Sequence, residues 1–225
     1  MSISINKRLF INMSKFPYLE NFHIIVDRIC RYGVSPIDCE NGIKSACEFF
    51  EIPLPALIAD MTENPQGQTM FVDYNPNSFC DDVICYHLKQ LKGLGVNSKD
   101  SFTLVMTHEC AHRILQSTTL PGLDNGQWEE ELCCDFFMGV RASIEKIDRK
   151  AFDSVRMGLS QGGGSSTHPT GTLRYAAMTA GNMTGNFDLI QNRKKTILEY
   201  LATFESWRQN NIQHIEMEQK PFFNF

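Results

Sequence analysis

Between Phe102 and Leu115 the chain places apolar residues on every side of a helix: Phe102, Leu104, Val105, Met106, Cys110, Ala111, Ile114 and Leu115. A helix that is apolar all round is buried all round. This segment must therefore be the centre of the fold, with the rest of the chain built around it. Ser98 is of the residue type that caps such a helix, which then runs from about Lys99 to Gln116. Inside it lies Thr107-His108-Glu109-Cys110-Ala111-His112. Residues four apart project from one helical face, so His108 and His112 can share a single metal ion. Glu109 then stands on the side where a water on that ion would sit. This is the spacing of a zinc-hydrolase helix, with two ligands and a general base. The plain alternative, a chance pair of histidines in a buried helix, leaves three polar side chains in need of partners. A metal supplies them at once.

A catalytic zinc needs three protein ligands and one water. In the run Trp128 to Asp135, Glu131 and Asp135 share a helical face. Glu131 is the expected third ligand. Asp135 is expected to accept the free N–H of a ligating imidazole, taken here as that of His108. Glu129 and Glu130 read as a solvated helix start, where the dipole favours acid. A further segment, Ser165-Ser166-Thr167-His168-Pro169, follows the loop glycines Gly162, Gly163 and Gly164, and Pro169 suits a first helical turn. His168 could reach over the metal to stabilise an oxyanion. Arg174 could pair with a carboxylate of the site, with Asp135 as the candidate. A structural role for both residues fits the sequence equally well. The glycine loop reads either as a lid or as a passive connection.

The remaining elements follow from periodicity and breakers. Helices are expected over Tyr18–Tyr32, from Pro36 to about Phe50, Phe79–Leu91, Gln127–Lys146, Thr170–Asn182 and Phe187–Asn210. Strands are expected over Ala56–Met61 and Gln68–Tyr74, joined as a hairpin by Thr62–Gly67. The class implied is α+β: a mainly helical, zincin-like domain with a small antiparallel sheet. A single metallopeptidase domain would span 1–225, with a catalytic core at 52–183, an N-terminal helical part at 1–51 and a C-terminal helix at 186–211 packed on it. The formal charge of −5 argues against nucleic acid as a partner. Arg193-Lys194-Lys195 reads as a solvated helix face. No apolar run reaches the length of a membrane span, and the first residues lack a secretion signal, so a cytoplasmic location is expected. Eight cysteines with no C-x-x-C pair read as reduced, mostly buried thiols. Cys110 is expected to face the core, away from the metal. The strand Gln68–Tyr74 could align an extended peptide at a sheet edge or be an ordinary core strand. The aromatic end Pro221–Phe225 packs on the protein itself, docks on a partner or enters the substrate groove.

The order His-Glu-x-x-His, Glu-x-x-x-Asp, Ser-Thr-His-Pro and then Arg resembles the gluzincin metallopeptidases of the CAAX prenyl protease and heat-shock membrane protease type. The resemblance covers about Phe102 to Arg174. It implies Zn²⁺ held by His108, His112 and Glu131, and Glu109 as base. It further implies Asp135 behind the ligands, His168 beside the active site and Arg174 as the matching arginine. A peptide or protein would be the substrate, with a regulatory protein as an optional partner. Two departures stand out. The familiar members sit in membranes, whereas this chain has no span, and their alanine before the Asp is Cys134 here. The first motif alone also resembles phage-exclusion peptidases and cytosolic regulator-cleaving proteases. A partner-regulated protease of a defence, toxin or regulator-cleaving system is therefore one alternative, and a non-catalytic zinc protein is another.

Overall fold

The computed structural model describes residues 33–59, 70–73, 83–86, 88–117 and 127–222. The expected helix Tyr18–Tyr32, the connections Thr62–Gly67 and Asn75–Ser78, the loop 121–126 and residues 223–225 lie outside them. Helix α1, Pro36–Phe50, starts where Ser35 and Asp38 form a capping box, with Pro36 in the first turn. The described chain continues through β1 (Ala56–Ala59), β2 (Met70–Asp73), β3 (Val83–Tyr86), α2 (Leu88–Gly93), α3 (Lys99–Ser117), α4 (Gln127–Ile144), α5 (Arg149–Ser160), α6 (Gly171–Ile190) and α7 (Ile197–Gln219). A short 3₁₀ turn over Lys220–Phe222 follows.

The antiparallel sheet expected from the sequence does not form. β1 and β2 are not neighbours; the sheet order is β1-β3-β2. β3 pairs in parallel with β1, Ala56 opposite Val83, and antiparallel with β2, Met70 opposite Tyr86. The small sheet is therefore mixed, and the molecule is helical in the main. The error began at β3, which falls within a segment expected to be helical. Val83-Ile84-Cys85-Tyr86 is a short, continuously apolar run, and the middle strand of a sheet has no alternation to distinguish it from a buried helix. The helix there is confined to Leu88–Gly93.

Helix α3 is central, as its composition requires. Every residue from Ser101 to Ala111 is buried. Ser98 caps it by accepting the Ser101 N–H at 3.2 Å, while the Ser101 hydroxyl accepts from Ser98 N at 2.9 Å. Helix α4 packs against α3 and, most extensively, against α6. Arg141, fully buried in α4, donates to Thr107 of α3 at 2.7 Å and to Ser45 of α1 at 2.6 Å. That guanidinium locks three helices together beside His108.

Three helical expectations need correction. The segment Arg149–Ser160 was not expected as an element, yet it is a helix capped by Asp148, which buries Ala151, Phe152, Val155 and Leu159. α6 runs unbroken to Ile190 instead of ending at Asn182. Its glycines are contacts, not breakers: a Cβ on Gly181 would run into the Phe136 carbonyl of α4. The break falls instead before Thr196, which forms a capping box with Glu199 to start α7. Arg193-Lys194-Lys195 lies in that connection, not on a helix face, and Lys195 Nζ sits 3.1 Å from Asp188. Among the described residues, no helix is long and apolar enough to cross a membrane.

Candidate metal centre

Crossing of α3 and α4 brings His108, His112 and Glu131 together. The two imidazole Nε2 atoms are 3.1 Å apart. Glu131 places Oε2 at 3.3 Å from His108 Nε2 and Oε1 at 3.4 Å from His112 Nε2. Ligand atoms held about 2.1 Å from a tetrahedral zinc are separated by about 3.4 Å. The three donors therefore already stand close to the corners that a zinc ion requires.

The opposite ring nitrogens fix the tautomers. His108 Nδ1 is 3.0 Å from Asp135 Oδ1, and His112 Nδ1 is 2.7 Å from Glu130 Oε1. A carboxylate can only accept, so each Nδ1–H donates outward. In the neutral ring each Nε2 then carries the lone pair, and the two Nε2 atoms face one another. That arrangement is repulsive unless a proton or a cation lies between them. Glu131 Oε2 is buried and accepts no hydrogen bond, although it faces His108. An orphaned carboxylate oxygen beside two inward lone pairs fits a metal, and hydrogen-bonded outer nitrogens are the usual support of metal-bound histidines.

The charges point the same way. Arg174 grips Asp135 with two bonds, Nε to Oδ2 at 2.7 Å and Nη2 to Oδ1 at 2.9 Å, and its Nη2 is also 3.7 Å from Glu131. Burial would raise the Asp135 pKa, but Arg174 and His108 hold it below the ordinary carboxylate range. Burial likewise opposes ionisation of Glu131, yet the two imidazoles hold it well below. For His108, burial is outweighed by the hydrogen bond to Asp135 and the charge of Glu131, and its pKa is raised. For His112, burial is outweighed by Cys134, Glu130 and Glu131, and the rise is large. Burial also raises Glu109, against the pull of His108 and His112. Glu131 and Asp135 share the single guanidinium of Arg174, and the two imidazoles supply further positive charge. A divalent cation would take the place of the protons on those rings.

His168 lies on the loop between α5 and α6, half exposed, with Nε2 at 3.7 Å from Glu131 Oε1. The loop is pinned: Trp128 Nε1 donates to the Ser165 carbonyl at 2.8 Å, and Ser165 N donates to the His168 carbonyl at 2.8 Å. Burial lowers the His168 pKa, so the ring is neutral at pH 7. Cys110 points away from the metal donors, its Sγ 3.8 Å from Cys47 Sγ.

Two residues read as solvated, Glu129 and Glu130, are drawn inward, and Cys134 was given no role from the sequence. Glu130, read as solvated, holds His112; in an acidic run nothing singles it out until the crossing of α3 and α4 is known. Glu129, read the same way, is buried against α7, and burial raises its pKa despite Arg208 nearby. Cys134 is fully buried, and its Sγ forms a group with one nitrogen each of His108 and His112, all within 4.8 Å of one another. Burial pushes its thiol up to about 12, against the pull of His112. Its position one turn after Glu131 was a readable signal. The chain matches no family model, and comparison with curated proteins and with solved structures gives no match.

Proposed function

We propose that this protein is a zinc-dependent metallopeptidase of the gluzincin kind. The observation that carries the reading is the triangle of His108 Nε2, His112 Nε2 and Glu131, with both Nδ1 atoms already donating to carboxylates. When bound there, zinc would polarise a peptide carbonyl and lower the pKa of an attacking water towards neutrality. Glu109, raised by burial, takes the proton of that water and passes it to the leaving amine. The Thr167 hydroxyl lies 2.8 Å from His168 Nδ1; donating to it would leave Nε2–H free to bond the oxyanion. Arg174 and Asp135 keep the His108 ring in its metal-facing tautomer. β2 lies at one edge of the sheet and offers main-chain groups to an extended peptide. Among the described residues, five free buried thiols suit a reducing, cytoplasmic setting.

The test is metal analysis of the purified protein together with Glu109→Gln and a broad peptide library. Near one zinc per chain is expected, lost on His112→Ala. Glu109→Gln keeps the zinc and the fold but loses cleavage by roughly 10²–10⁴-fold. Substoichiometric zinc that is indifferent to His112→Ala would sink the reading. A zinc protein that cleaves nothing in any library would shift it to a non-catalytic metal site.

A further inference from the structure

A further donor lies beside the two histidines. Cys134 follows Glu131 by one helical turn on α4 and is fully buried. Its Sγ and one nitrogen from each of His108 and His112 lie within 4.8 Å of one another. Glu131 Oε2, buried and without a hydrogen bond, lies 3.3 Å from His108 Nε2. A tetrahedral zinc with sulfur at about 2.3 Å and nitrogen at about 2.1 Å needs sulfur and nitrogen about 3.6 Å apart. With the sulfur within 4.8 Å of a nitrogen of each histidine, it has to close by at most about 1.2 Å, within reach of a side-chain adjustment. A zinc site with four protein ligands is closed, whereas hydrolysis needs one position open to water.

We infer that Cys134 is the fourth ligand of the resting metal centre, a thiolate that occupies the position hydrolysis requires and must leave before a peptide can be cut. The inference rests on the metallopeptidase reading and names the restraint on that site. On coordination the thiol proton goes to solvent; on release the sulfur takes a proton back, and water enters the vacated position. The metal keeps its charge throughout, so no oxidant or reductant is involved.

X-ray absorption of the zinc-loaded full chain tests this directly. The wild type should show one sulfur at about 2.3 Å beside nitrogen and oxygen neighbours. Cys134→Ala, with zinc content and melting behaviour checked in parallel, should lose that sulfur shell and keep the lighter neighbours. Cobalt in place of zinc should give a thiolate charge-transfer band in the near ultraviolet that Cys134→Ala and Cys134→Ser both abolish. Acetohydroxamate, a small chelator that needs an open position, should bind Cys134→Ala about tenfold or more tightly than wild type. Zinc bound without a sulfur neighbour overturns the inference and leaves the metal site standing. A sulfur shell that persists in Cys134→Ala assigns it to another cysteine and also overturns it. Equal acetohydroxamate affinity in the two proteins removes the restraint. Failure to bind zinc at all removes the metallopeptidase reading itself.

Discussion

At the scale of single residues, the centre is organised by what holds the ligands as much as by the ligands. His112 owes its inward Nε2 lone pair to a 2.7 Å bond from Nδ1 to Glu130. His108 owes its own to Asp135, itself clamped by Arg174. Glu130→Gln still offers an oxygen to that N–H but loses the negative charge and the forced acceptor role. It should weaken zinc binding by about 10–100-fold in competition with a chromophoric chelator, with far-UV circular dichroism unchanged. Asp135→Asn should weaken it at least as much, because Arg174 then loses the anion it pairs with. Unchanged zinc affinity in both variants would show that the outer bonds do not tune the metal. That His108 and His112 share one face was legible from i, i+4 spacing alone. Glu130 was not, since an acidic helix start looks the same whether it meets solvent or an imidazole.

At the scale of elements, the centre depends on how closely helices approach. Gly181 and Gly139 let α6 and α4 touch backbone to backbone, since a Cβ at either would meet main-chain atoms of the other helix. Periodicity reports which face of a helix is apolar, but it does not tell a glycine that permits contact from one that ends a helix. The supposed break near Asn182 came from that ambiguity, just as the mistaken helix over β3 came from a short apolar run with no alternation. Gly181→Val should drive α6 off α4 and shift Glu131 relative to the histidines. A loss of about 3 kcal/mol or more in chemical denaturation, with weaker zinc binding, is the expected outcome. By contrast, Thr196→Ala removes the capping bond from Glu199 N and the hydroxyl's bond to Glu199 Oε2 at the start of α7. It should cost about 1 kcal/mol and leave zinc affinity alone. If both variants changed zinc affinity equally, the α4–α6 contact would have no special hold on the site.

At the scale of the molecule, a cluster of buried ionisable groups links folding, protons and metal. Without metal, His108 and His112 have folded pKa values above their ordinary 6.5. Their stabilising contribution is complete below that value and is lost as pH rises through the folded one. Glu131 and Asp135 have folded values below the usual carboxylate range. Their contribution is present above about pH 4 and fades as pH falls through the lowered values. The metal-free protein should therefore be most stable in mildly acidic solution, and should lose roughly 1–3 kcal/mol between about pH 6 and pH 8. Zinc reverses that slope. It takes the place of the proton between the two Nε2 atoms, and proton competition for those lone pairs fades as pH rises. At zinc a hundredfold above its dissociation constant, the gain should be about 2.7 kcal/mol. Melting temperatures of chelator-treated and zinc-loaded protein should thus diverge steadily across that range, the first falling while the second holds or rises. Parallel curves would mean that the histidines do not exchange a proton for a metal, and the centre would then be a buried ion-pair cluster that serves the fold alone.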